Sequence, residues 1–270
     1  MARATASQQA YTASTIGYPR RARVVRAAPA RRRRLDPARA IKRLAAIALA
    51  CLLLVSLWFA ARGFLLYRDA LAATSLDDMA AAIESSEEFV PIDGLPDLYV
   101  QAVVSVEDHR FYAHPGIDLI ACARALVHDI QAGSIVEGGS TITQQLAKNQ
   151  YFTQEQTVDR KIAEMFMALS IEQHFSKREI LELYVNSIYF GDGLYGVGAA
   201  SAGYFGKDAA SLDACESTML AGIPNAPSAY APTADAGLAR KRQQQVLDRL
   251  VACDYLDAAE ARRIGGTCSA

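Results

Sequence analysis

GGSTITQQLAKNQYFTQEQTVDRKIAEMFMALSIEQHFSKREILELYVNSI, residues 138–188, is the stretch whose reading decides the fold. No sustained polar–apolar alternation runs through it, so its periodicity is that of helices rather than half-buried strands. Three capping boxes mark helix starts: Thr141 with Gln144, Thr153 with Gln156, and Ser176 with Glu179. Val158, Ile162, Met165, Phe166 and Leu169 recur at i, i+4, i+7, i+8 and i+11, which predicts one buried stripe on a helix. Working outward, the pattern stays mostly helical from Pro96 to about Leu256. Residues 67–95, acidic and Ala-rich and then broken by Pro91, Asp93, Gly94 and Pro96, read as a juxtamembrane helix and a linker. Residues 257–270 are left as a C-terminal tail. The expected architecture is a mainly α domain over residues 96–256.

The 270 residues carry a formal net charge of −1, but that sum hides a split. Residues 1–43 hold twelve Lys/Arg against one acid, Asp36, a net of +11, which leaves −12 for the rest. Such asymmetry points to two environments. Leu44 to Ala61 follows the basic block with no charged residue. At about 1.5 Å per residue it nearly spans a hydrocarbon core of roughly 30 Å. Arg62 is placed to snorkel, and Trp58 and Tyr67 suit an interfacial aromatic belt. A transmembrane anchor over 44–66 is expected, with a basic disordered head, 1–43, on the cytoplasmic side and the rest outside the plasma membrane. The apolar core is too long, and the basic segment before it too extended, for a cleaved signal peptide. With a membrane span directly after it, the run Arg31 to Arg34 reads as a topology determinant touching anionic lipid, and no nucleic-acid partner is expected.

Cys122, Cys215, Cys253 and Cys268 would lie in a compartment that permits disulfides. Cys253 and Cys268 are near enough in sequence to bridge, though four thiols allow three connectivities. His109, His114, His128 and His174 show no metal-ligand spacing. Gly191-Asp192-Gly193-Leu194-Tyr195-Gly196 matches GxGxxG formally, but it follows an amphipathic helix rather than a strand. It is read as a glycine-rich turn.

Three places could carry chemistry. Glu107, with Asp108, follows the apolar Ala102, Val103, Val104 and Val106 and precedes an aromatic turn. That surrounding suits a carboxyl with a raised pKa, the need of a general base working near neutrality, or simply an ordinary helix-end carboxylate. Gly138-Gly139-Ser140-Thr141 opens a helix, where free N–H groups favour a phosphate, or serves only as a loop with an N-cap. Arg160 and Glu164, at i and i+4 with Lys161 between them, form either a solvated ion pair or a diphosphate-holding cluster beside a carboxylate.

The order of these segments resembles the family 51 peptidoglycan glycosyltransferases, found as monofunctional enzymes and as the N-terminal module of class A penicillin-binding proteins. The carrying motifs are EDHRFYAHPGID (Glu107 to Asp118), GGSTITQQLAKN (Gly138 to Asn149), RKIAE (Arg160 to Glu164), KREILELYVNSIYFGDGLYG (Lys177 to Gly196) and AGIPNAPSAYAP (Ala221 to Pro232). Departures are few: Met167 to His174, and the pair Arg242-Gln243, where a second Arg often follows. No SxxK with downstream SxN and KTG is present, so the chain resembles a monofunctional member.

The resemblance implies a lysozyme-like, two-lobed glycosyltransferase domain behind a single N-terminal transmembrane helix. It implies polymerisation of lipid II, with the growing glycan chain on undecaprenyl diphosphate as donor. Carried over by motif, Glu107 is the base that deprotonates the acceptor's 4-hydroxyl, and Glu164 assists the leaving group, alone or through a divalent cation such as Mg or Mn. Asp108, Arg124, Ser140, Thr141, Gln145, Lys148, Asn149, Arg160 and Lys161 would bind substrate or support the site. Phe111, His114, Gly116, Tyr184 and Asn186 would hold the motifs in shape. A transpeptidase is the partner such an enzyme would need. The rivals are a lysozyme-like hydrolase, which has no use for a diphosphate cradle, and a non-catalytic scaffold.

Overall fold

The helix that places the first motif, α3 (Asp97–Glu107), buries Tyr99, Ala102, Val103 and Val104 against α9 (Ala214–Gly222) and α11 (Ala236–Ala252). The computed structural model describes residues 37–132, 139–153, 155 and 157–268. The remaining α-helices are α1 (Pro37–Ala73), α2 (Leu76–Glu84), α4 (Leu119–Ala132), α5 (Ile142–Tyr151), α6 (Val158–His174), α7 (Lys177–Ser187), α8 (Val197–Phe205), α10 (Pro227–Tyr230) and α12 (Ala258–Thr267). One hairpin, β1 (Tyr189–Gly191) with β2 (Leu194–Tyr195), is the sheet structure among the described residues. The fold is therefore mainly α, as the sequence pattern predicts.

Two units are distinguished, Met1–Leu49 and Ala50–Ala270. The first holds the start of α1, with Leu44, Ile47 and Leu49 exposed. Most of the expected head, residues 1–36, lies outside the described residues. Over Ile41–Ala73, α1 is long and apolar enough to cross a membrane by length and composition, with a mean hydropathy of 2.5.

Within the second unit the local chemistry of the caps sets the helix starts. Thr141 and Ser176 each accept from the backbone N–H three residues on, and Gln144 and Glu179 return the bond. Both are the boxes read from the sequence. The third differs: Gln156 lies outside the described residues, and α6 starts from Thr157, whose hydroxyl accepts from Arg160 N. Thr157 is the cap because it lies one residue before the first helical position.

Packing adds what the local pattern leaves open. The stretch read as a juxtamembrane helix and linker supplies Leu76, Met79, Ala80, Ile83 and Ile92 to the core, and the tail supplies Ala261 and Ile264. Small apolar sets on short helices go unnoticed until a neighbouring groove exists to receive them. The stripe on α6 is not the buried face. Ala163, Glu164, Met167, Ala168 and Ile171 are buried, Val158 is exposed, and Ile162, Met165, Phe166 and Leu169 are half-buried. Arg62 does not simply reach for solvent, because its Nε donates to Asp159 Oδ2 of α6 at 2.7 Å. Finally, the disulfide joins Cys215 to Cys268, with Cys122 and Cys253 free. Fifty-three residues of chain separate the pair, and only the docking of α12 beside α9 brings their Cα atoms to 5.5 Å.

Gln243, at a departure from the family pattern, serves this corner. Its Nε2 donates to Cys215 O and to Thr218 Oγ1, both at 2.9 Å. Cross-linking a loop of this length restricts the unfolded chain strongly. Cys268→Ser is expected to lower the unfolding free energy by about 2–4 kcal/mol, read as a lower midpoint of urea unfolding with a steeper slope, since the unlinked unfolded chain exposes more surface.

Candidate active site

Glu107 is the last residue of α3, and the chain turns sharply at Asp108 (φ −158, ψ 75). Asp108 leaves the helix with a carboxylate that accepts from two donors. His114 Nε2 lies 3.0 Å from both of its oxygens, and Ile142 N, in the first turn of α5, donates to Oδ2 at 3.1 Å. Gly116 N donates to His114 Nδ1 at 3.2 Å, so the ring's remaining proton sits on Nε2 and points at Asp108. Thr141 Oγ1 donates to Gly116 O at 2.6 Å. Gly116 has φ +91, and a Cβ there would come within 2.9 Å of Glu172 Cγ, so glycine is required on both counts. Phe111 is fully buried under Lys177, whose Nζ lies 4.3 Å from the ring centroid.

Asp108, His114 and Asp118 bring three ligand-type atoms within 4.8 Å of one another, a grouping the linear spacing does not reveal. All three side chains are already engaged: Asp118 accepts from Ile120 N and Ala121 N and faces Arg110 Nε at 3.0 Å. The cluster is a hydrogen-bonded knot that locks the first motif to the second.

It also changes the reading of the helix start. Thr141 N donates to Gln144 Oε1, Ile142 N to Asp108 and Gln144 N to Thr141 Oγ1. Those N–H groups are satisfied inside the protein and do not form the phosphate cradle expected of Gly138 to Thr141. Gly138 lies outside the described residues.

A cavity of about 930 Å³ opens beside this knot. Glu107, Arg124, Ser140, Gln145, Lys148 and Glu164 line it, six of the residues singled out from the sequence. Glu107, its side chain 7% exposed, accepts from Gln145 Nε2 at 2.8 Å through Oε2. Tyr184, fully buried, donates its hydroxyl to Gln145 Oε1 at 3.2 Å and so turns the amide nitrogen toward Glu107. Burial pushes the Glu107 carboxyl up, and the nearby Asp108 adds to this, while Gln145, Arg242 and Lys148 pull it back down.

Glu164 is in the opposite situation. Only 1% exposed, it faces Arg160 Nε at 3.0 Å and Lys161 Nζ at 3.1 Å. Lys161 Nζ also donates to Ser140 Oγ at 2.8 Å, and Arg160 Nη1 to Thr153 O at 2.7 Å. An intrahelical pair with a buried carboxylate is not the solvated pair the i, i+4 spacing alone would suggest.

Not every expected residue faces this cavity. Asp108 and Thr141 act through the knot. Asn149 is exposed and lines a separate cavity of about 540 Å³ with Tyr189 and Tyr195, whose rings are 4.9 Å apart. Asn186 joins Val90, accepting from its N–H and donating to its carbonyl, both at 2.8 Å.

The sequence reading missed the far wall: Asn225, Tyr230, Arg242, Gln245, Asp248 and Arg249. Arg242 Nη2 lies 3.8 Å from Glu107 Oε1, and its guanidinium sits 5.7 Å from the Tyr230 ring centroid. Asn225 and Tyr230 fall in the fifth motif, and Arg242, Gln245 and Arg249 share one helical face by their spacing.

The family described as Transglycosylase matches residues 75–251. The chain belongs to the transglycosylase family. Its match begins at the cap of α2, inside the stretch first read as linker. Penicillin-binding protein 1F of Bacillus subtilis is 43% identical over 185 residues, which cover 68% of this chain and 26% of that protein. Penicillin-binding protein 1A of Aquifex aeolicus is 46% identical over 168 residues, 62% of this chain and 23% of that one. This transglycosylase thus spans about a quarter of the length of these relatives. A crystal structure of penicillin-binding protein 1A from Haemophilus influenzae aligns over 67% of this chain and 18% of its own, with 21% identity and a TM-score of 0.41.

A carboxyl held up by burial makes a signed prediction for stability. Its folded pKa exceeds its unfolded one, so the native state binds the proton more tightly and loses stability as pH rises through the window between them. Glu107→Gln keeps an acceptor for Gln145 and carries no charge. The variant is expected to melt a few degrees above wild type at pH 7.5, with the gap closing as pH falls toward the unfolded carboxyl value.

Proposed function

We propose that this chain is a peptidoglycan glycosyltransferase that polymerises lipid II into β-1,4-linked glycan strands in bacterial cell wall synthesis. The supporting observation is a single cavity with two buried carboxylates in opposite surroundings: Glu107 against an amide with its pKa raised, and Glu164 between two cations. Two carboxylates with such different neighbours are fitted to different tasks, Glu107 to take a proton and Glu164 to hold cations.

Glu107 takes the proton of the acceptor's 4-hydroxyl. The freed oxygen attacks C1 of the donor sugar from the face opposite the leaving group, and the C1–O bond to the diphosphate breaks with inversion. The departing undecaprenyl diphosphate gains negative charge as it leaves. Lys148 and Arg124 bring cations to the cavity wall, and Glu164, also on that wall, holds Arg160 and Lys161 beside it. Ser140 fixes Lys161 further.

Glu164 does not by itself make a site for a divalent cation. A hard ion collects several oxygen ligands, whereas the neighbours of this carboxylate are a guanidinium and an ammonium. No step in this scheme passes through a metal.

The same reading places α1 across the plasma membrane once, with the Arg-rich segment in the cytoplasm and the catalytic domain outside. The Cys215–Cys268 disulfide supports that side, since such bonds persist in oxidising compartments. A transpeptidase partner would cross-link the strands.

The test is polymerisation of purified lipid II by the full chain, with and without a divalent cation and moenomycin. Glu107→Gln is expected to abolish product and Glu164→Gln to cut the rate by about a hundredfold or more. Near-normal turnover by Glu107→Gln sinks the base assignment, and release of fragments from isolated peptidoglycan favours a hydrolase instead. Arg242 draws the Glu107 pKa down, so Arg242→Gln should move the acid limb of kcat/KM to higher pH. An unmoved limb shows that the guanidinium does not act on Glu107.

A further inference from the structure

The stripe on α6 expected to be core turned out half-buried, and the structure shows what covers part of it. Arg62, Gly63, Phe64 and Tyr67 of α1 meet Asp159, Ile162, Phe166 and Ser170 of α6. Arg62 Nε reaches Asp159 Oδ2 at 2.7 Å. The Phe64 ring meets Phe166 edge-on at 5.4 Å, Tyr67 lies 6.0 Å from the same ring, and the Tyr67 and Ser170 hydroxyls are 2.8 Å apart. Positions 159, 162, 166 and 170 form one seam at helical spacing. Arg160, Lys161 and Glu164 fall on the side of α6 away from it.

Gly63 is the closest point of that seam. A Cβ there would come within 2.5 Å of Ile162 Cγ2 and 3.0 Å of Asp159 O, distances no real side chain tolerates. Glycine in a helix interior costs roughly 0.5–1 kcal/mol relative to Ala, so its presence at the closest contact marks a demand of packing. The charge-free run of the chain ends at Ala61, immediately before the contact begins.

We propose that Gly63 is a positioning residue for the glycosyltransferase reaction. By letting α1 seat directly on α6, it ties the Arg62–Tyr67 stretch of α1 to the helix that carries Arg160, Lys161 and Glu164. A substrate whose lipid tail stays in the bilayer presents its diphosphate at a nearly fixed depth. The cations that receive it must be held at that depth, and α6 carries the depth from the anchor to the cavity. The inference rests on the function proposed above. It assigns to the anchor a second task, that of a gauge.

The experiment uses the full chain in lipid vesicles and compares wild type, Gly63→Ala, Ile162→Ala and the double variant. Ile162→Ala removes the Cγ2 atom, 2.5 Å from the added methyl, and leaves the Cβ at 2.7 Å. Lipid II polymerisation, the melting midpoint and hydrogen exchange along α6 are read for each. Gly63→Ala is expected to lower kcat/KM about tenfold, on the scale of sub-ångström misplacement, and to speed exchange in the first turns of α6, with a melting midpoint near wild type. The double variant, which loses the shortest of these contacts, should recover part of both. Arg62→Gln, at a side chain 56% exposed, folds without difficulty and should give a smaller loss in the same direction.

Wild-type turnover and unchanged α6 exchange in Gly63→Ala overturn the proposal. So does a loss of activity that tracks a global fall in melting midpoint and is not rescued by Ile162→Ala. If the wild-type protein does not polymerise lipid II while α6 exchange responds and recovers as described, the proposed function fails and the seat of α1 on α6 stands.

Discussion

The carboxylate of Asp108 is the constraint on which the rest of the site depends. Removed from water, it must find hydrogens from the protein, because a buried unpaired charge is costly. It takes them from His114 and from the backbone of Ile142. Those bonds fix the end of α3 against the start of α5 across 34 residues of chain. Glu107 precedes Asp108 in sequence, and Gln145 stands one turn along α5. Their contact at 2.8 Å is thus a consequence of the knot. Tyr184 supplies the last degree of freedom by choosing which end of the Gln145 amide faces Glu107.

Charge in this molecule acts locally. The part of the chain after residue 43 is acidic overall, yet Arg124, Lys148 and Arg242 converge on one cavity and Lys161 meets its Ser140 and Glu164. Exposed charges are screened within about 8–10 Å at ordinary salt, so the distant acidic surface weakens little of what these cations do. The same locality lets two carboxylates in one cavity behave differently. Glu107 sees apolar walls and an amide first, with a guanidinium farther off, whereas Glu164 sees two cations at contact distance.

Part of this was legible in the chain. The boxes at Thr141 and Ser176 involve residues three apart, so no tertiary information was needed to see them. The apolar run leading into Glu107 left it either a base or an ordinary helix-end carboxylate, and the motif around it carried the role by resemblance. The α6 stripe was visible as a pattern, but a period of 3.6 says only that one face is apolar, not what lies on it. That face meets α1 at Ile162 and Phe166, while the core takes the neighbouring Ala163, Met167 and Ile171. The capping box already occupies two N–H groups of the α5 start, and the third, Ile142 N, goes to Asp108, 34 residues away and so out of reach of a local reading. Arg242 and the Cys215–Cys268 bond depend on docking between segments far apart in the chain, for which no local signal exists.

By itself, then, the sequence determined the helices, their caps, the apolar anchor and the motifs that carry the family. Each of these is a property of residues within a turn or two of one another, where propensity and hydrogen bonding are local. Tertiary structure decided which carboxylate is raised and which is paired, which N–H groups remain free, which cysteines meet, and which face of α6 the anchor covers. Those depend on what is excluded from water and what approaches within a few ångströms, and only the packed chain fixes that.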